Sequence, residues 1–339
     1  MHFRYLLSLL KTIRMPGFLP VMKDLIPFLR MHFLHAAFEA GLLQALETPR
    51  TKDELICRLS VQRPEILEAL LDMGLAIKEL RLKSNLYGLR GKRSKILASP
   101  ANDALAAMIQ GNVTYYNQSY RYLAERMQGA PLGNNLGEIG ALVARFARVG
   151  EPILDSFIKS LVSPSGVFKV LDVGCGSGFV LKTAAGVNGA VTGIGVDMDD
   201  QVVVQAKDNI IQWGLEKRFE ILSGDVRSHK EVLSGGFDLI TIFNLVYYLP
   251  EEERSAFFTY LHGLLAVGGC LAVVNNFRSQ GKDVMAANLN LVNASLSQLT
   301  VLPDLAVLEQ QLADCGFKRV RTTRFIPKSE FYGIAAHQE

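Results

Sequence analysis

VLDVGCGSGFV, Val170 to Val180, lies near the middle of a 339-residue chain. An apolar run interrupted by Asp172 ends in three glycines spaced by two, Gly174, Gly176 and Gly178. Glycines at a strand-to-helix turn let a ligand approach the backbone closely. A dinucleotide, a phosphate and another nucleotide-like cofactor are the candidate guests. A dinucleotide fingerprint is GxGxxG, whose third glycine packs the helix; here the pattern is GxGxG and position 179 is Phe. A P-loop needs Gly-Lys-Ser/Thr after a four-residue gap, which is absent. Both phosphate readings weaken, and the flanking residues have to decide.

Working outward, Asp172 stands two residues before the first glycine, placed to meet a cationic group. Asp197, in GIGVDMDD, ends the next strand 19 residues beyond Gly178, where an acid can accept two hydrogen bonds from a ribose diol. LSGDV puts Asp225 after a third strand, where an acid can meet an adenine amino group. FDLITIFNLVYYLP supplies a fourth strand running into a loop. Short β-rich runs at 168–173, 191–196, 218–223, 237–243, 269–275, 318–325 and 331–337 alternate with helical stretches near 178–187, 200–213, 251–266 and 304–315. That alternation predicts an α/β fold, a parallel sheet with helices on both faces. The last two strands lack a long helix between them and read as an antiparallel hairpin at one end. Ligands of such folds bind outside the carboxyl ends of the strands, where all four motif segments arrive.

The ordered set VLDVGCGSG, GVDMD, SGDV, FDLI and LLAVGGCLAV resembles the class I S-adenosylmethionine-dependent methyltransferases over roughly 165–337. The resemblance implies a Rossmann-like seven-stranded sheet with S-adenosyl-L-methionine as cofactor. It implies that Gly174, Gly176 and Gly178 admit the methionine part, that Asp197 binds the ribose hydroxyls, that Asp225 with Val226 lines the adenine, and that Met198 is a further cofactor-binding residue. Asn244 falls near the methionine end, and Asp172 is counted among the cofactor-binding residues. No metal is required by that chemistry.

Before this domain, MHFLHAAFEAGLLQALE, TKDELICRLSV with a Thr51/Glu54 capping box, and RPEILEALLDMGLAIKEL read as helices, and RLKSNLYGLRGKRSKIL as a small hairpin with a basic tip. Three helices and a hairpin look winged-helix-like. Such a module resembles the dimerisation domain of plant O-methyltransferase-type enzymes acting on small molecules, which implies a homodimer. Domains are therefore expected at 1–150 and 151–339, with helices around 101–150 roofing the substrate pocket. A DNA-binding wing is the other reading, disfavoured because the third helix is acidic and apolar. Residues 1–35 hold two short apolar segments broken by Pro16, Pro20 and Pro27. They read as an arm packed on a partner subunit or on the body, in preference to an interfacial membrane helix, because prolines interrupt a long amphipathic face.

One departure matters. Plant-type enzymes carry Leu-His-Asp-Trp after the fourth strand, and this chain has LVYYLPEEE. Tyr247 or Tyr248 occupies the region of that histidine. A tyrosine at its usual pKa of about 10 is a poor base at neutral pH. The acceptor is therefore expected to need little deprotonation, with Tyr247 and Tyr248 orienting it. His32, His35, His229 and His262 are the remaining candidate bases. Tyr115, Tyr116, Tyr120 and Tyr122 could wall the substrate, Arg145 and Arg148 could meet a carboxylate, and Asn288, Asn290 and Asn293 could line the acceptor pocket.

Bulk properties agree. Hydrophobic residues make up 49%, charged residues 20%, and the net charge is +3, which excludes a disordered chain and does not mark a nucleic-acid binder. Four scattered cysteines form no CxxC pair, as expected in a reducing cytoplasm. Ser255 to Phe277 lacks charge, but His262, several glycines and two asparagines divide it, so it reads as a helix followed by a buried strand. The expectation is a cytoplasmic, homodimeric enzyme that methylates a small, largely apolar or aromatic metabolite, on oxygen first, on nitrogen or carbon otherwise. A non-methylating enzyme on the same scaffold and a winged-helix regulator are the alternatives.

Overall fold

The computed structural model describes residues 15–134 and 140–339. By compactness the chain divides into Met1–Asn117 and Gln118–Glu339, rather than at 150/151. The segment after Asn117 folds with the second unit because side chain and backbone tie it there. Tyr120 Oη donates to Asn288 Oδ1 at 2.8 Å, and Gly133 forms a parallel bridge with Leu296.

The first unit is mostly helical. Lys52–Arg58 starts at the expected capping box, with the Glu54 amide donating to Thr51 Oγ1 and the Thr51 amide to Glu54 Oε2. Pro64–Ala76 follows, then the hairpin of β1 (Leu80–Lys83) and β2 (Leu86–Leu89). Ser84 and Asn85 turn it with φ of 49° and 63°, the left-handed pair that suits a two-residue hairpin. The residues after it, expected within the hairpin, instead form helix Lys92–Ala98. Leu34, Leu42, Leu43, Leu55, Leu71 and Leu80 are fully buried at the centre. Buried Glu79 is neutralised by Arg30 and Arg93, each at 3.3 Å.

The prolines do not break the arm as expected. Met15–Glu39 is one helix with Pro20 and Pro27 inside it. Pro27 leaves the Lys23 carbonyl without its intrahelical donor, but Lys23 is exposed, so water can satisfy it. Residues 1–14 of the arm lie outside the described residues.

The second unit is built on seven strands: β3 (Phe168–Val173), β4 (Val191–Asp197), β5 (Phe219–Ser223), β6 (Phe237–Phe243), β7 (Leu265–Asn276), β8 (Lys318–Arg324) and β9 (Phe331–His337). Their order is β5-β4-β3-β6-β7-β9-β8, parallel from β5 to β7, with β9 antiparallel to both β7 and β8. The terminal hairpin is as expected, except that β9 inserts between β7 and β8. Chain direction across the sheet reverses between β3 and β6, which makes their carboxyl ends the switch point where ligands bind. Two apolar layers sandwich the sheet. Leu171, Val173, Ile240, Ile242 and Phe258 pack on one face, and Val170, Leu181, Ala206, Leu239 and Val274 on the other. The uncharged run from Ser255 divides into helix Glu251–Leu264 and β7. Among the described residues no helix is long and apolar enough to cross a membrane.

Candidate active site

The loop after β3 folds over the end of β4. The amides of Gly174 and Cys175 both donate to the Val196 carbonyl, at 2.8 and 3.0 Å. Gly174 has φ of 72°, a conformation that favours glycine, and a Cβ there would meet Leu245 Cδ1 at 2.6 Å and push that side chain aside. Gly176, at φ 52°, faces open space, and Gly178, at φ 79°, precedes helix Phe179–Val187. Asp197 staples the loop: its Oδ2 accepts from the Gly176 amide at 2.9 Å and its Oδ1 from the Asp199 amide at 3.1 Å. Each oxygen keeps a lone pair for a further donor. Met198 beside it is exposed.

Asp172 is buried at the end of β3. Thr241, its register partner on β6, donates to Oδ1 at 2.6 Å, and Oδ2 has no partner. Burial pushes this carboxyl up to about 7; the Thr241 hydrogen bond opposes the shift and the nearby Asp197 charge adds to it. Asn244 just past β6 adopts φ of 53°, a conformation tolerated by asparagine but rare for side chains generally. Its amide donates to the Val274 carbonyl at 2.7 Å and its buried Oδ1 is unpartnered. Two orphaned buried acceptors therefore flank the glycine loop. Buried acceptors normally find a donor, and an ammonium or hydroxyl of a bound group would supply one.

The predicted adenine side is less open. Asp225 accepts from the Arg227 amide at 2.8 Å and from the Arg227 guanidinium at Nη2, 2.6 Å. The guanidinium hydrogen bond holds this carboxyl below its usual range. Val226 is buried in the core layer, and Tyr260 Oη donates to its carbonyl at 3.1 Å. His229 is engaged, its Nε2–H donating to the Ser223 carbonyl at 2.9 Å. His262 packs edge-on against Phe317, a structural role.

Tyr247 and Tyr248 lie in the turn Val246–Tyr248 beyond β6, with ring centroids 5.1 Å apart. Tyr247 is half-buried and Tyr248 exposed. Thr300 donates its amide to the Tyr247 carbonyl at 2.8 Å, and buried Arg254 donates to Thr300 Oγ1 at 2.9 Å and to the Leu249 carbonyl at 3.3 Å. Sequence reasoning missed this support, because no local pattern links 254 to 300. Asn288 and Asn290 lie on helix Val284–Ala294, which the sequence left unassigned, and Asn290 Oδ1 accepts from the Leu302 amide at 2.8 Å. Arg148 faces Glu151 at 3.9 Å. Tyr115 and Tyr116 belong to the first unit, in a π-helical turn, with rings 5.5 Å apart; burial raises the Tyr116 hydroxyl above its ordinary value.

Comparison with known proteins agrees with this geometry. Residues 170–269, the stretch from β3 into β7, match the family model described as a methyltransferase domain. Residues 170–269 are thus a methyltransferase domain. Over 120 residues the chain is 34% identical to the ribosomal protein L11 methyltransferase of Xylella fastidiosa, covering 34% of this chain and 35% of that protein. Over 83 residues it is 30% identical to the ubiquinone biosynthesis O-methyltransferase of Thiobacillus denitrificans, covering 24% and 34%. The chain thus spans about a third of each of these two relatives. The structure of a mitomycin 7-O-methyltransferase superposes with a TM-score of 0.78 at 14% identity, covering 96% of this chain and 99% of that one. At that identity the likeness shows the fold, and here it extends over both units.

Proposed function

We propose that this protein transfers a methyl group from S-adenosylmethionine to a small, largely apolar or aromatic metabolite, with a hydroxyl oxygen as the preferred acceptor. The observation that carries this is the pair of orphaned buried acceptors, Asp172 Oδ2 and Asn244 Oδ1, beside a glycine loop held by Asp197. They fit the donor-rich methionine end of such a cofactor, and Asp197 retains lone pairs for a ribose diol. When bound, S-adenosylmethionine supplies a methyl on a sulfonium with a good leaving group. The chain's task is then alignment and exclusion of water. Tyr247 orients the acceptor from its half-buried turn, and Asn288 belongs to the same acceptor wall. A small-molecule acceptor also accords with the mitomycin and ubiquinone-pathway names of the similar proteins.

The test is transfer of a labelled methyl group to a panel of phenols, aromatic acids and amines. Tyr247→Phe is expected to lower kcat about tenfold with little change in the KM for cofactor, and Tyr248→Phe by less than about threefold. Cofactor binding without transfer to any acceptor favours a non-methylating enzyme on this scaffold. Salt-dependent binding to duplex DNA favours a regulator.

We also propose that the chain is a cytoplasmic homodimer. Helix Met15–Glu39 exposes Leu19, Val21, Met22, Leu25, Ile26, Phe28 and Leu29, with Lys23 and Asp24 the only charges among them. A helix apolar on all sides is normally buried against something. The double change Ile26→Glu and Leu29→Glu is expected to convert a dimer to a monomer in sedimentation at micromolar concentration. A wild-type monomer would overturn the assignment.

A further inference from the structure

Arg126, on helix Leu123–Met127, is a cation in an unusual position. Its Nη1 is shut off from solvent and has no hydrogen-bond partner. No carboxylate pairs with it among the described residues. Its guanidinium lies 5.7 Å from the centre of the Tyr122 ring, and Arg121 lies 5.5 Å from the same ring, so a second positive charge is nearby. Nη2 lies against Gly133: a Cβ there would meet it at 2.8 Å and Leu296 Cδ2 at 2.9 Å, so a side chain at 133 would displace the guanidinium.

The surroundings connect this cation to the acceptor side of the domain. The Gly133 amide donates to the Ser295 carbonyl at 3.0 Å, and the Ser297 amide to the Gly133 carbonyl at 2.9 Å. Thr300, a few residues on, donates to the Tyr247 carbonyl. One short stretch, 295–300, is therefore tied beside Arg126 at one end and to the Tyr247 turn at the other. Just before it, Asn293 is wholly buried, and neither its Oδ1 nor its Nδ2 has a partner. A buried guanidinium hydrogen and a buried amide left unpaired are both costly. Such groups point to a missing polar partner rather than to packing.

We propose that Arg126 receives a carboxylate of the methyl acceptor, so that the substrate is an aromatic or apolar organic acid. The planar guanidinium fork matches a carboxylate in geometry and charge. The unpaired guanidinium nitrogen suits a carboxylate oxygen; a phosphate ester, with a further oxygen and more charge, would call for more donors. Gly133 leaves the guanidinium its position, and the Tyr122 ring lies within cation–π range of it. The proposal rests on the methyltransferase reading and narrows its substrate class.

The test uses the full chain saturated with S-adenosylhomocysteine. Hydroxylated benzoic and cinnamic acids and their primary amides are compared by calorimetry and thermal shift. At least one acid is expected to bind about tenfold more tightly than its amide. Arg126→Met is expected to abolish that preference while leaving the Kd for S-adenosylhomocysteine unchanged. Arg126→Lys, which keeps the charge and loses the fork, is expected to retain part of it and covers the case in which the methionine variant misfolds. A panel in which no acid outperforms its amide, or a preference that survives Arg126→Met, overturns the proposal. Failure of the wild-type chain to bind S-adenosylhomocysteine is a separate result and strikes the methyltransferase reading itself.

Discussion

Replacing Asp197 by alanine is expected to weaken binding of S-adenosylhomocysteine by about 100- to 10,000-fold. The carboxylate has two tasks. It accepts the amides of Gly176 and Asp199, which fixes the glycine loop against the end of β4. It also keeps lone pairs for the ribose hydroxyls of a bound cofactor. Hydrogen bonds to a charged group contribute about 1.5–3 kcal/mol each. Loss of two such bonds to the ligand costs about 3–6 kcal/mol, and about 1.4 kcal/mol is a factor of ten in Kd. Asp197→Asn keeps one acceptor oxygen and the size of the side chain, so an intermediate loss is expected. Calorimetric titration of the three proteins, with circular dichroism to establish that each is folded, makes the measurement. A folded alanine variant that binds within about fivefold of wild type would remove Asp197 from the cofactor site.

The elements that hold this site were legible because each carries a strong local signal. β3, β4 and β6 are short apolar runs ended by an acid or an asparagine, and the glycines of the β3 loop mark positive φ directly. Their meeting at one sheet edge follows from parallel topology alone. What the sequence hid was decided over longer or finer range. The motif marks Asp172 as an acid placed to meet a cation, but the Thr241 hydroxyl beside it is a matter of β3–β6 register. The sequence places Asp225 where an acid can meet adenine; its pairing with Arg227, two residues away, depends on a turn geometry that no motif specifies. Helix Val284–Ala294 was missed because Asn288, Asn290 and Asn293 blur its apolar period, although two of the three have hydrogen-bond partners that make them fit. Pro20 and Pro27 argued against a continuous helix that forms anyway, since an exposed carbonyl left by proline is satisfied by water. Arg126 carried no signal at all, because burial of one guanidinium nitrogen is a property of the fold.

Titration of Asp172 is expected to make cofactor binding strengthen, and the unliganded chain weaken, as pH rises toward 7. Burial lifts its carboxyl from an ordinary value of 3.8 to about 7. Between those values the folded chain holds a proton that the unfolded chain has released. Stability therefore falls as pH rises through that window, by about 1.4 kcal/mol per pH unit at most and about 4 kcal/mol in all, and is level below and above it. Asp172→Asn keeps an acceptor for Thr241 and cannot ionise, so its stability should lack this slope and exceed wild type at pH 8. Binding runs the other way. The ammonium of S-adenosylhomocysteine favours ionised Asp172, whose Oδ2 has no donor in the free chain. Below pH 7 binding must then release a proton from this carboxyl. The Kd is expected to fall by up to about tenfold per unit between pH 5 and 7 and to level above it. Calorimetry in two buffers of different ionisation enthalpy reads that proton directly. In Asp172→Asn the release should vanish, with Kd independent of pH and weaker than wild type at pH 8. A wild-type Kd that stays flat from pH 5.5 to 8.5 with no proton released would show that Asp172 does not meet the ligand's cation, and Asn244 would be left as the nearer polar contact at that end of the site.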